Sequence, residues 1–526
     1  MNKKVFLGLL GSVISPLAVA FCISCETKET EKVNLIIPFV QSHEKKAFNA
    51  ISTLVNKFNN SLDNKYLNNK INIRNVFDKK QINYKVNLEM NIKDSRTPSL
   101  VISYPSIVPL IYNNNRLFDL TEITKKSKIK EKILDFNNRL GFNNKNKIYS
   151  LPIGISSEIF IINKKLLSYV LHSLYEFNKK ENINNKYISN LKNSQFFTDL
   201  ILNYESLNEN KEIILFNKEQ VKAWNLKLDE DILNYDDDFN SFIELLNKSM
   251  VNKKQLDILF IKHIENYLFE NLFKKSESNF SNFFLKYDEN KKIIYDNIFK
   301  NDSRENIEFK NEIYDFYNKL KNNILYIEAN KNLNIKNSKN QLFTFITSRA
   351  YEFNYEYFLE NKNDLLIKNV PLKRNKTQDK GSFFMQGLFV SAIKSDIKEK
   401  NEVIHLFLNW LYNSENKLEW VVNNKKTILT PIEYLSFALG YVFPTENFAQ
   451  QNNKVFEDNI ANQLLLENIF NDNLVPFTDL VDERSAKLRE NIKILVSNYL
   501  LTKAKENASS DQTVNDFLVK LEELIK

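Results

Sequence analysis

The chain reads as an α/β protein of two lobes with a helix-rich second lobe, and three observations predict it. Its 526 residues are too many for one ordinary domain. A buried strand followed by an amphipathic helix opens at Val33. Further on, the stretch Asn146–Leu167 holds a run ending at Pro152, a small-residue bend Gly154-Ile155-Ser156-Ser157, and a second apolar run Ile159-Phe160-Ile161-Ile162. The run then enters a helix at Asn163. Two buried strands joined at a Gly/Ser bend describe a chain crossing from one α/β body to another.

Composition narrows the function. The chain is 43% hydrophobic with 40 Phe and 23 Tyr, enough to bury sizeable cores and to exclude disorder. Asn and Lys are abundant and only 7 Gly and 10 Pro occur, as an AT-rich genome encodes. The formal charge of +8 is spread among Glu and Asp instead of forming a stripe, so no nucleic-acid partner is expected. The scarce glycines form no Walker loop, dinucleotide fingerprint or nucleophile elbow. His43, His172, His263 and His405 stand in no metal-binding frame. Acidic pairs abound by composition, which leaves a glycosidase-like pair open from the residues alone. The expectation is a protein that is not an enzyme and carries no cofactor or metal.

The N-terminus reads as a signal peptide, with Asn2-Lys3-Lys4 before an apolar run Val5–Phe21 broken by Gly and Pro. The two cysteines, Cys22 and Cys25, close it. A zinc or redox role would need further ligands, whereas a lipobox needs a small residue just before the acylated cysteine. Ser24 precedes Cys25 and bulky Phe21 precedes Cys22, so Cys25 is the expected lipidation site. No other run is long enough to span a bilayer, and the anchor would be lipid. The charged tether that follows, up to Lys32, reaches about 25 Å at most and holds the first strand near the membrane.

Val33–Val40 reads as a parallel strand, and Glu44–Asn59 as a helix with Ser42 as its N-cap and Ala47, Phe48, Ile51, Leu54, Val55 and Phe58 on one face. The loop at Gln41-Ser42 then lies at a strand's carboxyl end, where α/β sheets bind ligands. Ile82–Met90 reads as another strand. Asp236-Asp237-Asp238 lacks EF-hand spacing and reads as a helix start. Trp224 offers a sugar-stacking face, with core packing as the plainer reading, and Trp410 and Trp420 read as core. Arg349, a guanidinium in a Lys-rich chain, fits either bidentate binding of an anion or an internal salt bridge.

These segments resemble the extracellular solute-binding lipoproteins of ABC importers, in the carbohydrate-binding, maltodextrin-binding-protein-like branch and of the mycoplasma surface type. Lys147-Ile148-Tyr149-Ser150-Leu151-Pro152 with Ile161-Ile162-Asn163-Lys164-Lys165-Leu166 resembles the family's first hinge crossing. Thr97–Ser106 resembles its second-strand motif, although Ser99 stands where an Asp is usual, and Leu117-Phe118-Asp119-Leu120 resembles the motif's close. Gly381–Ile393 resembles its last first-lobe strand. The likeness is weakest between about residues 170 and 335.

What the resemblance implies is a two-lobed periplasmic-binding-protein-like fold (type II) with hinge strands. It places a signal peptide at 1–24, a tether at 25–32, the first lobe at 33–153 and 342–395, and the second at 154–341 and 396–526. Crossings are expected near Gly154, Leu342 and Ser395. The expected cleft residues, all at strand ends or hinge bends, are Gln41, Ser42, Tyr104, Ser106, Ser156, Ser157, Glu158, Arg349 and Gln386. The implied function is capture of a small solute by a lipid-anchored monomer on the outer face of the cell membrane, and delivery to ABC permease subunits. Carbohydrate comes first as the solute and a glycerol-phosphate-like anion second. The rival is a surface adhesin or antigen that keeps the fold without transport.

Overall fold

In the computed structural model the described residues are 31–39, 44–75, 98–113, 115–202, 215–251, 256–329, 341–354, 363–422, 425–455 and 459–526. The expected signal peptide, most of the tether, Cys22, Cys25, Gln41, Ser42 and the Ile82–Met90 strand lie outside them. Among the described residues no helix is long and apolar enough to cross a membrane.

Fourteen strands are described: β1 (Val33–Ile37), β2 (Ile71–Asn75), β3 (Leu100–Ser103), β4 (Leu151–Ser156), β5 (Glu158–Asn163), β6 (Asp257–Ile261), β7 (Leu325–Ile327), β8 (Gln341–Thr347), β9 (Leu365–Asn369), β10 (Gly381–Phe384), β11 (Gln386–Ala392), β12 (Leu418–Val422), β13 (Lys425–Leu429) and β14 (Leu474–Phe477). Ten of them form two five-stranded sheets of the same design, β2-β1-β3-β11-β4 and β7-β6-β8-β5-β9. In each, three neighbouring strands run parallel and the fourth runs antiparallel to both its neighbours, β11 in the first sheet and β5 in the second. The central parallel strands are rich in apolar residues, as strands covered on both faces are; β1 is Val-Asn-Leu-Ile-Ile and wholly buried.

Helices close both faces. The helix Lys45–Asn59 buries Ala47, Ala50, Ile51, Leu54, Val55 and Phe58 at helical spacing. Its N-cap residue is Glu44, which makes no side-chain cap bond. Asn163 caps the helix Lys164–Lys180, accepting from the Leu166 N–H at 3.0 Å. The three acids Asp236–Asp238 open the helix Asp236–Ser249, where they face the positive end of its dipole. Ser99, at the position where relatives of the resembled family carry Asp, accepts from the Asn34 N–H at 3.3 Å and ties β1 to the start of β3.

Each lobe has its own core. The second is the larger and is built on phenylalanine: Phe160, Phe239, Phe242 and Phe343 meet around β5 and β8, and Trp224 packs beside Phe242. Trp224 is 2% exposed and donates to the Leu226 carbonyl, so it is a core residue. Lysines inside this lobe are paired, because an unpaired buried charge is costly. Lys274 meets Asp236 at 2.6 Å and the Pro371 carbonyl at 2.9 Å. Lys275 meets Glu312 at 2.5 Å.

Two of the expected crossings are corrected. The chain does cross beside Gly154, at Ser157 between β4 and β5, but it does not return at Leu342. There β8 lies inside the second sheet, antiparallel to β5 and parallel to β6. The helix Ser348–Phe353 and β9 follow, and β9 pairs with β5. The return comes with β11, which pairs with β3 and β4. Nor does the chain leave at Ser395. The helix Lys398–Tyr412 sends Val403, Ile404, Phe407, Leu408 and Leu411 into the first core, and Trp420, Leu435 and Leu465 follow it there. Ala461 touches the second sheet beside Ile159, Ile161 and Ile346, Phe477 of β14 enters the larger core, and Leu488, Ile492, Val514, Phe517 and Leu521 follow it there. The physical reason is that hydrophobic periodicity marks an apolar face but not which of two cores it fills.

Phe407 tests this assignment. It is 2% exposed, and its ring lies 5.0 Å from that of Phe58 on the Lys45–Asn59 helix. Phe407→Ala should lower the stability of the first lobe by about 3–5 kcal/mol, read as a lower urea midpoint by fluorescence. An unmoved first-lobe transition would contradict it.

Candidate functional site: the cleft between the lobes

The crossing is one residue long. Gln386 pairs with Ser156 in the first sheet and Thr347 with Glu158 in the second, which leaves Ser157 between them. Ser348 staples the bend: its N–H donates to the Ser157 carbonyl at 2.8 Å, its hydroxyl accepts from the Ser157 N–H at 3.2 Å, and it bonds the Ser156 hydroxyl at 3.2 Å. The Arg349 N–H also donates to the Ser156 hydroxyl, at 3.2 Å. Next to the bend β11 and β4 approach closely and leave no room for larger side chains. At Gly387 an added Cβ would stand 2.1 Å from the Gly154 carbonyl oxygen.

Beside this hinge opens a cleft of about 340 Å³ with one wall from each lobe. Tyr104 and Ser106 follow β3, and Asn266 lies in the first turn of the helix Ile264–Lys275 just after β6, so both walls stand at the carboxyl ends of parallel strands. The first-lobe wall adds Phe136, Arg139, Gln386 and Phe389. The second-lobe wall adds His263, Glu265, Phe269, Thr478, Asp479 and Arg489. Among the described residues no group of three or more His, Cys, Asp or Glu is placed to hold a metal.

Asn266 is the polar centre. Its amide nitrogen donates to Glu158 and, across the cleft, to the Gln386 carbonyl oxygen at 3.3 Å. Its own oxygen accepts from Arg489, whose other nitrogen pairs with Asp479. The Arg489 guanidinium also lies 5.5 Å from the Phe269 ring and 5.8 Å from the Phe384 ring. Glu158 Oε2, Glu265 Oε2, Thr478 Oγ1 and Asp479 Oδ1 are buried without a hydrogen-bond partner.

Burial governs the titration here. It pushes the Glu158 carboxyl well above the usual range, and the nearby Glu270 and Glu265 charges add to this against the Asn266 hydrogen bond. Burial raises Asp479 too, against the pull of Arg489. It lowers His263 to about 4, so that imidazole is neutral at ordinary pH, and lowers Arg139 to about 10, which leaves a cation. Glu270, one turn beyond Asn266 and with both oxygens unpartnered, is raised by burial to about 7 despite Lys274.

Of the residues expected from the sequence, Tyr104, Ser106 and Gln386 line the cleft, and Glu158 stands directly behind Asn266. Ser156, Ser157 and Arg349 do not line it. The serines are 1% and 2% exposed and belong to the hinge staple. Arg349 is an internal brace, 3.5 Å from Glu44 and stacked 4.6 Å from the Phe353 ring and 4.9 Å from the Tyr441 ring. Gln41 and Ser42 lie outside the described residues. Missed by sequence reasoning were Arg139, His263, Glu265, Asn266, Thr478, Asp479 and Arg489. Two signals were present: the strand-end rule applied equally to the residues after Ile261, and the scarcity of arginine singled out Arg489 as much as Arg349.

Comparison with solved structures identifies the architecture. A cyclic α-maltosyl-1,6-maltose binding protein from Arthrobacter globiformis superposes with a TM-score of 0.54 over 94% of this chain and 99% of its own, at 10% identity. The chain has the fold of the two-lobed sugar-binding proteins. The sugar-binding protein MalE from Xanthomonas citri gives 0.54 at 11% identity over 94% of this chain and 97% of its own. UgpB from Mycobacterium tuberculosis, solved with glycerophosphocholine, gives 0.52 at 10% identity over 94% and 98%. Residues 384–500 match the family model of the mycoplasma lipoprotein C-terminal region. Two relatives, both uncharacterized lipoproteins of Mycoplasma pneumoniae, are 32% identical over 85 residues and 28% over 131. These matches span 16% and 24% of this chain but only 11% and 16% of the relatives' length.

The buried acid beneath the cleft has a pH signature. The Glu270 carboxyl stays protonated in the fold up to about 7, while in the unfolded chain it ionises near its ordinary value of 4.5. Stability is therefore lost as pH rises through that window. Glu270→Gln should flatten this decline by up to about 3 kcal/mol, read from urea unfolding at a series of pH values. An unchanged pH profile would show that Glu270 ionises normally.

Proposed function

We propose that this protein is a lipid-anchored, non-enzymatic solute-binding protein that captures a small solute between its lobes and delivers it to the permease of an ABC importer. One observation carries the reading: a cleft walled by both lobes, beside a one-residue hinge, that keeps buried polar atoms without partners. Each such atom costs about 1–3 kcal/mol in the absence of a partner, a penalty that a bound solute relieves. This also favours binding over the rival reading, an adhesin that has lost its solute and would have no reason to keep them.

The neighbours' ligands support a carbohydrate or glycerophosphodiester-sized solute. Tyr104 offers a ring face, being 53% exposed, while Ser106 and Gln386 supply orienting hydrogen bonds. Contacts from both walls favour the closed arrangement, so binding and hinge closure are one equilibrium. Acylation at Cys25 would hold the protein at the outer face of the membrane, close to the permease, as a monomer.

Titration calorimetry of the full chain in detergent, against sugars, amino sugars, glycerophosphodiesters, amino acids and peptides, tests the reading. One class should bind, and at 100 times its dissociation constant it should stabilise the fold by about 2.7 kcal/mol. Tyr104→Ala should weaken that ligand at least tenfold without lowering stability, because the side chain is mostly exposed. No binding by any class would overturn it.

A further inference from the structure

Charge and hydrogen-bond arithmetic in the cleft say more about the solute. The amide of Asn266 and the guanidinium of Arg489, the strongest donors on the second-lobe wall, already have partners. Asn266 gives its amide to Glu158 and Gln386. Arg489 gives its guanidinium to Asp479 and Asn266 and is stacked against two phenylalanine rings. His263 is neutral.

Acceptors are in surplus. Glu158, Glu265 and Asp479 surround the single guanidinium of Arg489, close enough for their charges to act on one another. Glu265 and Asp479 each retain a buried oxygen with no partner, and both residues line the cleft. Beside them Thr478, 7% exposed, faces the same space with an unpartnered hydroxyl. On the opposite wall the balance reverses: the Arg139 guanidinium lies 4.0 Å from the Phe280 ring and its Nε–H is unpartnered.

Resting on the binding role proposed above, we infer that the solute is polyhydroxylated and carries a primary ammonium group, seated against Glu265 and Asp479, with a hydroxyl accepting from Arg139. An ammonium brings a positive charge and three donors to the Glu265 and Asp479 oxygens that have no partner. A phosphate would bring more acceptors to a wall already rich in them, and like charge to its carboxylates. The anionic alternative therefore loses its footing here, the more so because Arg349 does not line the cleft. A linear polyamine would satisfy the carboxylates but leave Arg139 unanswered, so an amino sugar fits better.

The test is calorimetry on the full chain in detergent, at a pH that keeps the amine protonated. The probes are the glucosamine disaccharide, its N,N′-diacetyl form, cellobiose, glucose 6-phosphate and spermidine. The glucosamine disaccharide should bind at least tenfold more tightly than cellobiose or the diacetyl form, with no binding of the phosphate. Glu265→Gln should reduce that advantage below threefold; should the variant not fold, the comparison on the unaltered chain decides. Equal or tighter binding of cellobiose, the diacetyl form or the phosphate would overturn the inference and leave solute binding standing. Spermidine matching the amino sugar would overturn its polyhydroxylated part. Silence from every probe overturns this inference, and the binding role itself falls only if the broader panel is silent too.

Discussion

Between Ser156 and Glu158 the backbone leaves one sheet and joins another, and the rest of the molecule is arranged around that step. A chain can change sheets in one residue only if its own polar groups are satisfied on both sides. The neighbouring strands do this, β11 holding Ser156 and β8 holding Glu158. Ser348 then fastens the free residue between them from a third direction. Because β11 and β5 each run antiparallel between two neighbours, the segment that links the lobes is also locked into both sheets. The lobes are thus joined at this point through a bend of small residues held from both sheets.

The same constraint explains where the polar chemistry collects. Parallel strands direct their carboxyl ends, and the helix starts that follow, toward the gap that the crossing leaves open. Asn266 stands at such a helix start, one short reach from both Glu158 and Gln386, so a single amide spans the two lobes. Around it burial shifts the Glu158 and Asp479 carboxyls upward, because it penalises the charged form more than one guanidinium repays.

How much of this was legible in the sequence follows from the range of the interactions involved. Period and turn chemistry are local, and they revealed the β4–β5 bend, the Lys45–Asn59 helix, the Asp236 helix start and the cleft positions of Tyr104, Ser106 and Gln386. Lobe membership is not local. Nothing in the apolar stripe of Lys398–Tyr412 says which of two cores it fills, and a family pattern supplied the wrong answer there and at Leu342. Arg349 shows a related failure: a scarce guanidinium does signal a geometric need, but the need was an aromatic and carboxylate brace behind the hinge.

The residues hardest to foresee, Thr478, Asp479 and Arg489, come from the part of the chain that re-enters the second lobe last. Their late arrival has a physical consequence. The second-lobe wall is assembled from β6 and its helix on one side and from the segment after β14 on the other, joined through the Arg489 bonds to Asn266 and Asp479. Loss of that segment's packing through Leu488 and Ile492 would therefore remove from the cleft the guanidinium that stands beside the three acids. On the proposed binding role, the geometry of this wall is tied to the stability of the C-terminal helices, and a cationic group bound there would strengthen their attachment by linkage.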